Sequence, residues 1–178
     1  EQVKNPIHLL APALAELAQT QWDRGNEEFP PTSWQVSSIH AGTGAANVVP
    51  GEVEVDFNFR FSTASTEASL RARLEAVLKK HGLDFSGSWT LGAKPFLSPR
   101  GRLAEIVLDV ARKHTGRAAE LSTAGGTSDG RFIIDICREI VELGPVNSTI
   151  HKLNEHIELE DLGRLPRMYL DILRALLP

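Results

Sequence analysis

Val53-Glu54-Val55-Asp56-Phe57-Asn58-Phe59-Arg60-Phe61-Ser62 alternates apolar and polar residues without a break. A period of two belongs to a β-strand with one face on a core and the other on water or a ligand. The strand is expected from Glu52 to Ser62. A second extended stretch, Trp34 to His40, precedes it across Gly42-Thr43-Gly44-Ala45-Ala46-Asn47-Val48-Val49-Pro50-Gly51, so the two are expected to pair antiparallel. Helical spacing flanks the pair. Upstream, Pro6 suits a first turn, and Ile7, Leu10, Leu14 and Leu17 form a stripe between Asn5 and Trp22. Downstream, Ser65 can cap a helix with Leu70, Leu74, Val77 and Leu78 buried and Gly82 in the left-handed position that ends it. With a further strand from about Leu83 to Leu91, the order is helix, strand, strand, helix, strand. That is a ferredoxin-like β-α-β-β-α-β unit lacking its first strand, which would lie upstream of Glu1.

The run Ala93-Lys94-Pro95-Phe96-Leu97-Ser98-Pro99-Arg100-Gly101 marks a crossing between domains, with a boundary near residue 95, giving 1–95 and 96–178. Beyond it, Leu103, Ile106, Val107 and Val110 set a helix ended by Gly116, and Ala118 to Ser122 reads as a short strand. Glu139 to Leu143 reads as a buried strand. Leu162, Leu165, Tyr169, Ile172, Leu173 and Leu176 mark a last helix that Pro166 is expected to kink or to start. Alternating helix and strand point to an α/β second half.

Composition narrows the function classes. The chain has 178 residues, 42% of them hydrophobic and 24% charged, which excludes a disordered or collagen-like chain. Nineteen basic against 23 acidic residues give a net charge of −4, a field that favours neither nucleic acid nor an anionic membrane surface. No apolar run reaches the roughly 18 residues of a membrane helix. The one cysteine, Cys137, excludes an intrachain disulfide framework and a multi-cysteine zinc site, and points to a reducing cytoplasm. The start, Glu1-Gln2-Val3-Lys4-Asn5-Pro6, has neither an initiator Met nor the plan of a signal peptide, and reads as a cut through a longer chain.

None of the six histidines, His8, His40, His81, His114, His151 and His156, sits in a compact zinc signature. His81 and His114 fall at helix C-termini, where an imidazolium complements the dipole. His151 lies in Gly144-Pro145-Val146-Asn147-Ser148-Thr149-Ile150-His151-Lys152-Leu153-Asn154-Glu155, a polar loop after a buried strand, where α/β sheets place ligands. By spacing alone it reads more readily as an ordinary loop histidine, since polar loops usually carry no chemistry. Gly125-Gly126-Thr127-Ser128-Asp129-Gly130-Arg131 is either a backbone cradle for a carboxylate or a turn capped by Ser128 or Asp129. Arg60, on the polar strand face, is either a bidentate clamp for an anion or a solvated strand arginine. Asn47 orients a Gly-rich turn. Trp22, Trp34 and Trp89 read as packing residues.

Four stretches together, Trp22 through Ser33, His40 through Gly51, Gly125 through Arg131 and Gly144 through Glu155, resemble those of the succinyl-diaminopimelate desuccinylases. These are dinuclear zinc amidohydrolases of bacterial lysine and diaminopimelate biosynthesis. The resemblance runs from about residue 5 to the end. It implies a ferredoxin-like lid that also forms a homodimer interface, followed by the C-terminal part of an α/β zinc-hydrolase domain. It implies that His151 is a metal ligand. It further implies that Arg60, Gly126, Thr127 and Asn147 hold the carboxylate and amino ends of a small-molecule substrate, and that Asn47 reaches toward the neighbouring subunit's site. Two Zn2+ ions per subunit are implied, with the other ligands, the bridging Asp, the general-base Glu and a lid histidine all upstream of this chain. The chain alone is therefore expected to hold no catalytic base and to be inactive. Acetylornithine deacetylases and aminoacylases share the architecture and remain alternatives, as does a dimerisation module formed through an unpaired strand edge.

Overall fold

The computed structural model describes residues 4–124 and 128–177. The chain forms two compact units that divide between Pro95 and Phe96. In the first, α1 (Pro6–Gln19), β1 (Ser33–Ala41), β2 (Val53–Arg60) and α2 (Glu67–Lys80) follow in order. The strands pair antiparallel, with Trp34 opposite Phe59, Val36 opposite Phe57 and His40 opposite Glu54, and an irregularity between Val36 and Ser38. The period of two in β2 becomes a real asymmetry. Val53, Val55, Phe57 and Phe59 are half-buried, while Glu54, Asp56, Asn58 and Arg60 are exposed.

Both helices of this unit start on side-chain caps that satisfy their first backbone donors. Asn5 Oδ1 accepts from Ile7 N at 3.0 Å, with Pro6 opening α1. Thr66 and Ser69 form a reciprocal capping box on α2, at 3.2 and 3.1 Å. The α2 cap is thus one residue beyond Ser65, whose hydroxyl is engaged elsewhere by Asp23. Gly82, at φ +68°, follows the C-terminal cap His81 in the left-handed conformation expected of it. The two helices bury Leu17, Leu70 and Leu74 against Trp22, Trp34 and the phenylalanine face of β2. Each such leucine contributes roughly 2 kcal/mol of burial. Trp22 meets Phe59 edge-on, with 4.6 Å between ring centroids.

The expected strand from Leu83 to Leu91 is not formed. Trp89 packs edge-on to Phe57 at 5.4 Å, so the segment lies on the core through its side chain without entering a ladder. The described residues of this unit hold a two-stranded antiparallel sheet with two helices, an α+β arrangement.

The second unit contains α3 (Arg102–Thr115), the single turn α4 (Gly130–Ile133) and α5 (Leu159–Leu176). Gly116, at φ +69°, ends α3 as expected. Val107, Val110 and Ala111 of α3 pack on Met168 and Ile172 of α5, with Val141 and Leu143 against the same cluster. Neither Ala118 to Ser122 nor Glu139 to Leu143 is a strand. For the second, the backbone partners explain why. Ile140 N donates to Ser98 Oγ at 2.8 Å, and the Tyr169 hydroxyl donates to Leu143 O, so side chains take the place of a neighbouring strand. The helix α5 begins at Leu159 and runs through Pro166. Its buried face is Asp161, Met168 and Ile172, while Leu162, Tyr169 and Leu173 of the expected stripe are about half exposed. Among the described residues no helix is long and apolar enough to cross a membrane.

Candidate functional site

The stretch from Trp22 to Ser33 is organised around one carboxylate. Asp23 Oδ1 accepts from Gly25 N at 2.9 Å and from Thr32 N at 2.8 Å. Its Oδ2 accepts from Ser65 Oγ at 2.5 Å and from the Thr32 hydroxyl. Burial pushes the Asp23 carboxyl up, but the Ser65 and Thr32 hydroxyls and the two backbone donors outweigh it and hold the group at about 2. Gly25 sits at φ +67°, and a Cβ there would lie 2.3 Å from Phe29 O. Asn26 closes the turn, its Oδ1 accepting from Glu28 N and Phe29 N and its Nδ2 donating to Thr63 Oγ1. This motif is scaffold: it ties the end of α1 to the start of β1 and to the approach to α2.

Asn47 and Arg60, both expected at a substrate site, lie toward opposite ends of β2. Asn47 is exposed in the loop between the strands, and Arg60 is exposed at the far end of β2, opposite Ser33. Seven residue steps of strand separate Val53 from Arg60, roughly 23 Å at the usual rise. The strand thus sets Arg60 at the end of the sheet away from the loop that carries Asn47. Among the described residues no ion pair holds the Arg60 guanidinium, which leaves its fork of donors available.

In the second unit, Gly126 and Thr127 lie outside the described residues. The part of that turn that follows is closed locally: Ser128 Oγ accepts from Gly130 N at 3.0 Å, and the four-residue α4 follows Asp129, whose side chain makes no cap bond. Gly130 is tightly enclosed, since a Cβ there would meet Ser128 Oγ at 3.1 Å and Phe96 at 3.2 Å. The Arg131 guanidinium stacks on Phe132, 4.5 Å from the ring centroid.

Asn147 and His151 share one exposed loop. Asn147 O accepts from Ile150 N at 3.2 Å, and Lys152 N donates to Thr149 O at 3.0 Å. His151 has φ +58° and Asn154 φ +61°, the two non-glycine residues with positive φ among those described. The left-handed region costs an L-residue on the order of 1–2 kcal/mol, less for Asn. Strain at such a position is held by its surroundings and gathers at functional sites. Thr149 and Glu155, which spacing alone does not single out, supply that hold: Thr149 bonds His156 twice, and Glu155 Oε2 accepts from His151 N at 3.4 Å. The His151 ring is exposed, and among the described residues no hydrogen bond reaches its nitrogens.

The helix-end histidines are structural, as expected. His81 Nε2 lies 2.7 Å from Glu16 Oε2, and His114 Nε2 lies 2.9 Å from Asp171 Oδ2. Cys137 is exposed. Among the described residues no group of three or more His, Cys, Asp or Glu side chains is arranged to hold a metal ion. A zinc site takes about three or four protein donors. His151 offers one, so the described residues do not make a zinc site by themselves.

A family model of the peptidase dimerisation domain matches residues 1–86. The succinyl-diaminopimelate desuccinylase of Thiobacillus denitrificans is 59% identical over 174 residues, covering 98% of this chain and 44% of that protein. The protein of the same name from Nitrosomonas europaea is 60% identical over 166 residues, covering 93% of this chain and 44% of its own length. The one from Bordetella petrii is 60% identical over 174 residues, at 98% and 46%. The chain thus spans less than half the length of these relatives. Among solved structures, an M20 family metallo-carboxypeptidase from Sulfolobus solfataricus superposes with a TM-score of 0.57 at 15% identity, over 98% of this chain and 45% of the other. That likeness concerns the fold.

Proposed function

We propose that the chain is the lid and C-terminal catalytic part, residues 1–95 and 96–178, of an enzyme hydrolysing N-succinyl-L,L-2,6-diaminopimelate to succinate and L,L-diaminopimelate, a reading supported by its similarity to a peptidase dimerisation domain and to the succinyl-diaminopimelate desuccinylases. The observation that carries this reading is identity near 60% that extends across both units and so includes all four motif stretches. The reaction adds water across the succinyl amide and yields one new carboxylate and one amine.

The substrate is anionic at both ends, and the chain's own residues are assigned to binding it. Arg60, held by no ion pair among the described residues, presents a planar fork that suits a carboxylate. Asn147, with Gly126 and Thr127, offers neutral donors and acceptors for carboxylate and amino groups. Asn47, in the loop at the other end of β2 from Arg60, serves the neighbouring subunit's site, which requires a homodimer formed through the first unit. The match of residues 1–86 to a dimerisation domain supports that assembly. His151 would supply one imidazole nitrogen to a zinc ion, a metal that polarises the scissile carbonyl and its attacking water when bound. The remaining donors and the general base belong to other parts of the parent enzyme. The cytoplasm is the assigned compartment, in keeping with a biosynthetic role and a single exposed thiol.

The test is relative turnover of the complete parent protein on N-succinyl-diaminopimelate and on N-acetylornithine. Preference for the succinyl substrate is expected; preference for acetylornithine would move the chain to the deacetylases. Light scattering on the 178-residue chain tests the assembly, a monomer at micromolar concentration counting against the lid interface.

A further inference from the structure

We propose that Thr149 is the positioning residue for His151, its hydroxyl closing the loop that presents the imidazole; this rests on the reading of His151 as a ligand-binding residue. Thr149 Oγ1 donates to His156 O at 2.7 Å and accepts from His156 N at 3.1 Å. This two-way exchange is what a backbone pair makes in an antiparallel ladder, here made by one side chain. The hydroxyl has a single proton, and it is committed to His156 O. The main chain of Thr149 adds a third link, since its carbonyl accepts from Lys152 N at 3.0 Å.

Between the two ends of this latch the chain must reverse within Ile150 to Glu155, six residues without a glycine. The reversal falls on His151 and Asn154, at φ +58° and +61°. Side chains within the loop reinforce it: Glu155 Oε2 accepts from His151 N, and His156 Nδ1 lies 2.8 Å from Asn154 O. The His151 ring has no hydrogen-bond partner among the described residues. The loop backbone therefore sets where the His151 Cα–Cβ bond points, and so the region of space the imidazole can reach. A metal-binding histidine is ordinarily oriented by a partner on its second nitrogen. The Thr149 latch acts one step earlier, holding the backbone from which the imidazole projects.

Thr149→Val keeps the side-chain shape and removes both hydroxyl bonds, and Thr149→Ser keeps the bonds and removes a methyl. In the 178-residue chain, NMR reads the positive-φ signature in the Cα–Hα couplings of His151 and Asn154 together with amide exchange at His156. Thr149→Val is expected to lose both signals while the amides of α3 and α5 stay protected, and Thr149→Ser to keep them. An unchanged loop in Thr149→Val overturns the latch. In the complete parent protein, Thr149→Val is expected to lower kcat/KM on the order of ten- to a hundredfold, with recovery in Thr149→Ser. Loop signals lost in Thr149→Val with turnover intact in His151→Ala would overturn the reading of His151 and leave the latch standing. Turnover abolished in His151→Ala with both rate and loop unchanged in Thr149→Val would overturn the positioning role alone.

Discussion

Asp171 on α5 lies 2.9 Å from His114 on α3, and the lysine preceding that histidine, Lys113, reaches the same carboxylate oxygen at 2.7 Å. The first unit repeats the device. Glu16 on α1 accepts from Lys80 at 2.9 Å and faces His81 at 2.7 Å. In each unit a Lys-His pair ending one helix is clasped by a single acid on another.

The Lys113 hydrogen bond, followed by that of His114, holds the Asp171 carboxyl at about 2, below its ordinary 3.8. A carboxylate depressed in the folded state contributes stability that is present above the ordinary value and lost as pH falls through the folded one. Urea unfolding between pH 4 and 2, read on the second unit, is expected to show stability falling with acid in the native chain. In Asp171→Asn this part of the pH dependence is expected to be shallower. An identical slope in the two proteins would reject the clasp as its source.

Asp23 gathers four donors from three separate parts of the first unit. Asp23→Ala leaves the Ser65 and Thr32 hydroxyls and two backbone N–H groups without their acceptor, and a loss of about 2 kcal/mol is expected. Chemical denaturation of the variant checks this, with no change in midpoint as the contrary result. The native carboxylate, at about 2 when folded, also makes this contribution acid-sensitive between about pH 4 and 2.

Gly25 and Gly82 have nearly equal positive φ, +67° and +68°, but different surroundings. A Cβ at Gly25 would lie 2.3 Å from Phe29 O, whereas one at Gly82 would meet nothing within 4 Å. Gly82→Ala is expected to cost about 1 kcal/mol of backbone strain. Gly25→Ala is expected to cost more than about 2 kcal/mol, because backbone must also move. Equal costs would mean that the turn yields freely.

Glu139 Oε2 accepts from Leu103 N at 2.7 Å, serving the first turn of α3 from a distant segment. The same carboxyl lies 2.6 Å from where a Cβ on Gly101 would stand. Glu139→Ala is expected to cost about 1 kcal/mol as a lost helix cap. Gly101→Ala should displace the carboxyl, so the double variant should be less destabilised than the sum of the two. Additive costs would show the two positions to be independent.

In the complete parent protein, Arg60→Ala is expected to lower kcat/KM mainly through weaker substrate binding. His151→Ala is expected to lose one equivalent of zinc and nearly all turnover. Steady-state kinetics and elemental analysis on the same samples decide both; full zinc content and rate in His151→Ala would remove it from the ligand set.

The elements visible in the sequence were those whose signal is local. The alternation in β2 and the Leu70–Leu74 stripe read out directly, because one periodic segment against one core face suffices. Glu139 to Leu143 failed for the opposite reason: its apolar letters suit a strand, but a strand needs a partner, and the bonds from Ser98 and Tyr169 come from 42 and 26 residues away. In α5 the apolar residues wrap widely, so Leu162, Tyr169 and Leu173 could be taken along with Ile172 for the inner face, which Ile172 in fact forms with Met168. The candidate site was legible as motif only. Spacing left His151 and Arg60 open, and it could not reveal Asp23 as a hub, since Ser65 lies 42 residues beyond it.

The Asp23 hub constrains how this chain can drift over generations. Asp23, Gly25, Thr32 and Ser65 depend on one another for their hydrogen bonds or their space, so a change at one alters the selective value of the other three. Neutral variation in the loop is thereby channelled to positions such as Arg24 and Glu27, whose side chains face solvent. The four-residue set is expected to change as a block, a lineage that loses one member replacing the turn as a whole rather than repairing it by single steps.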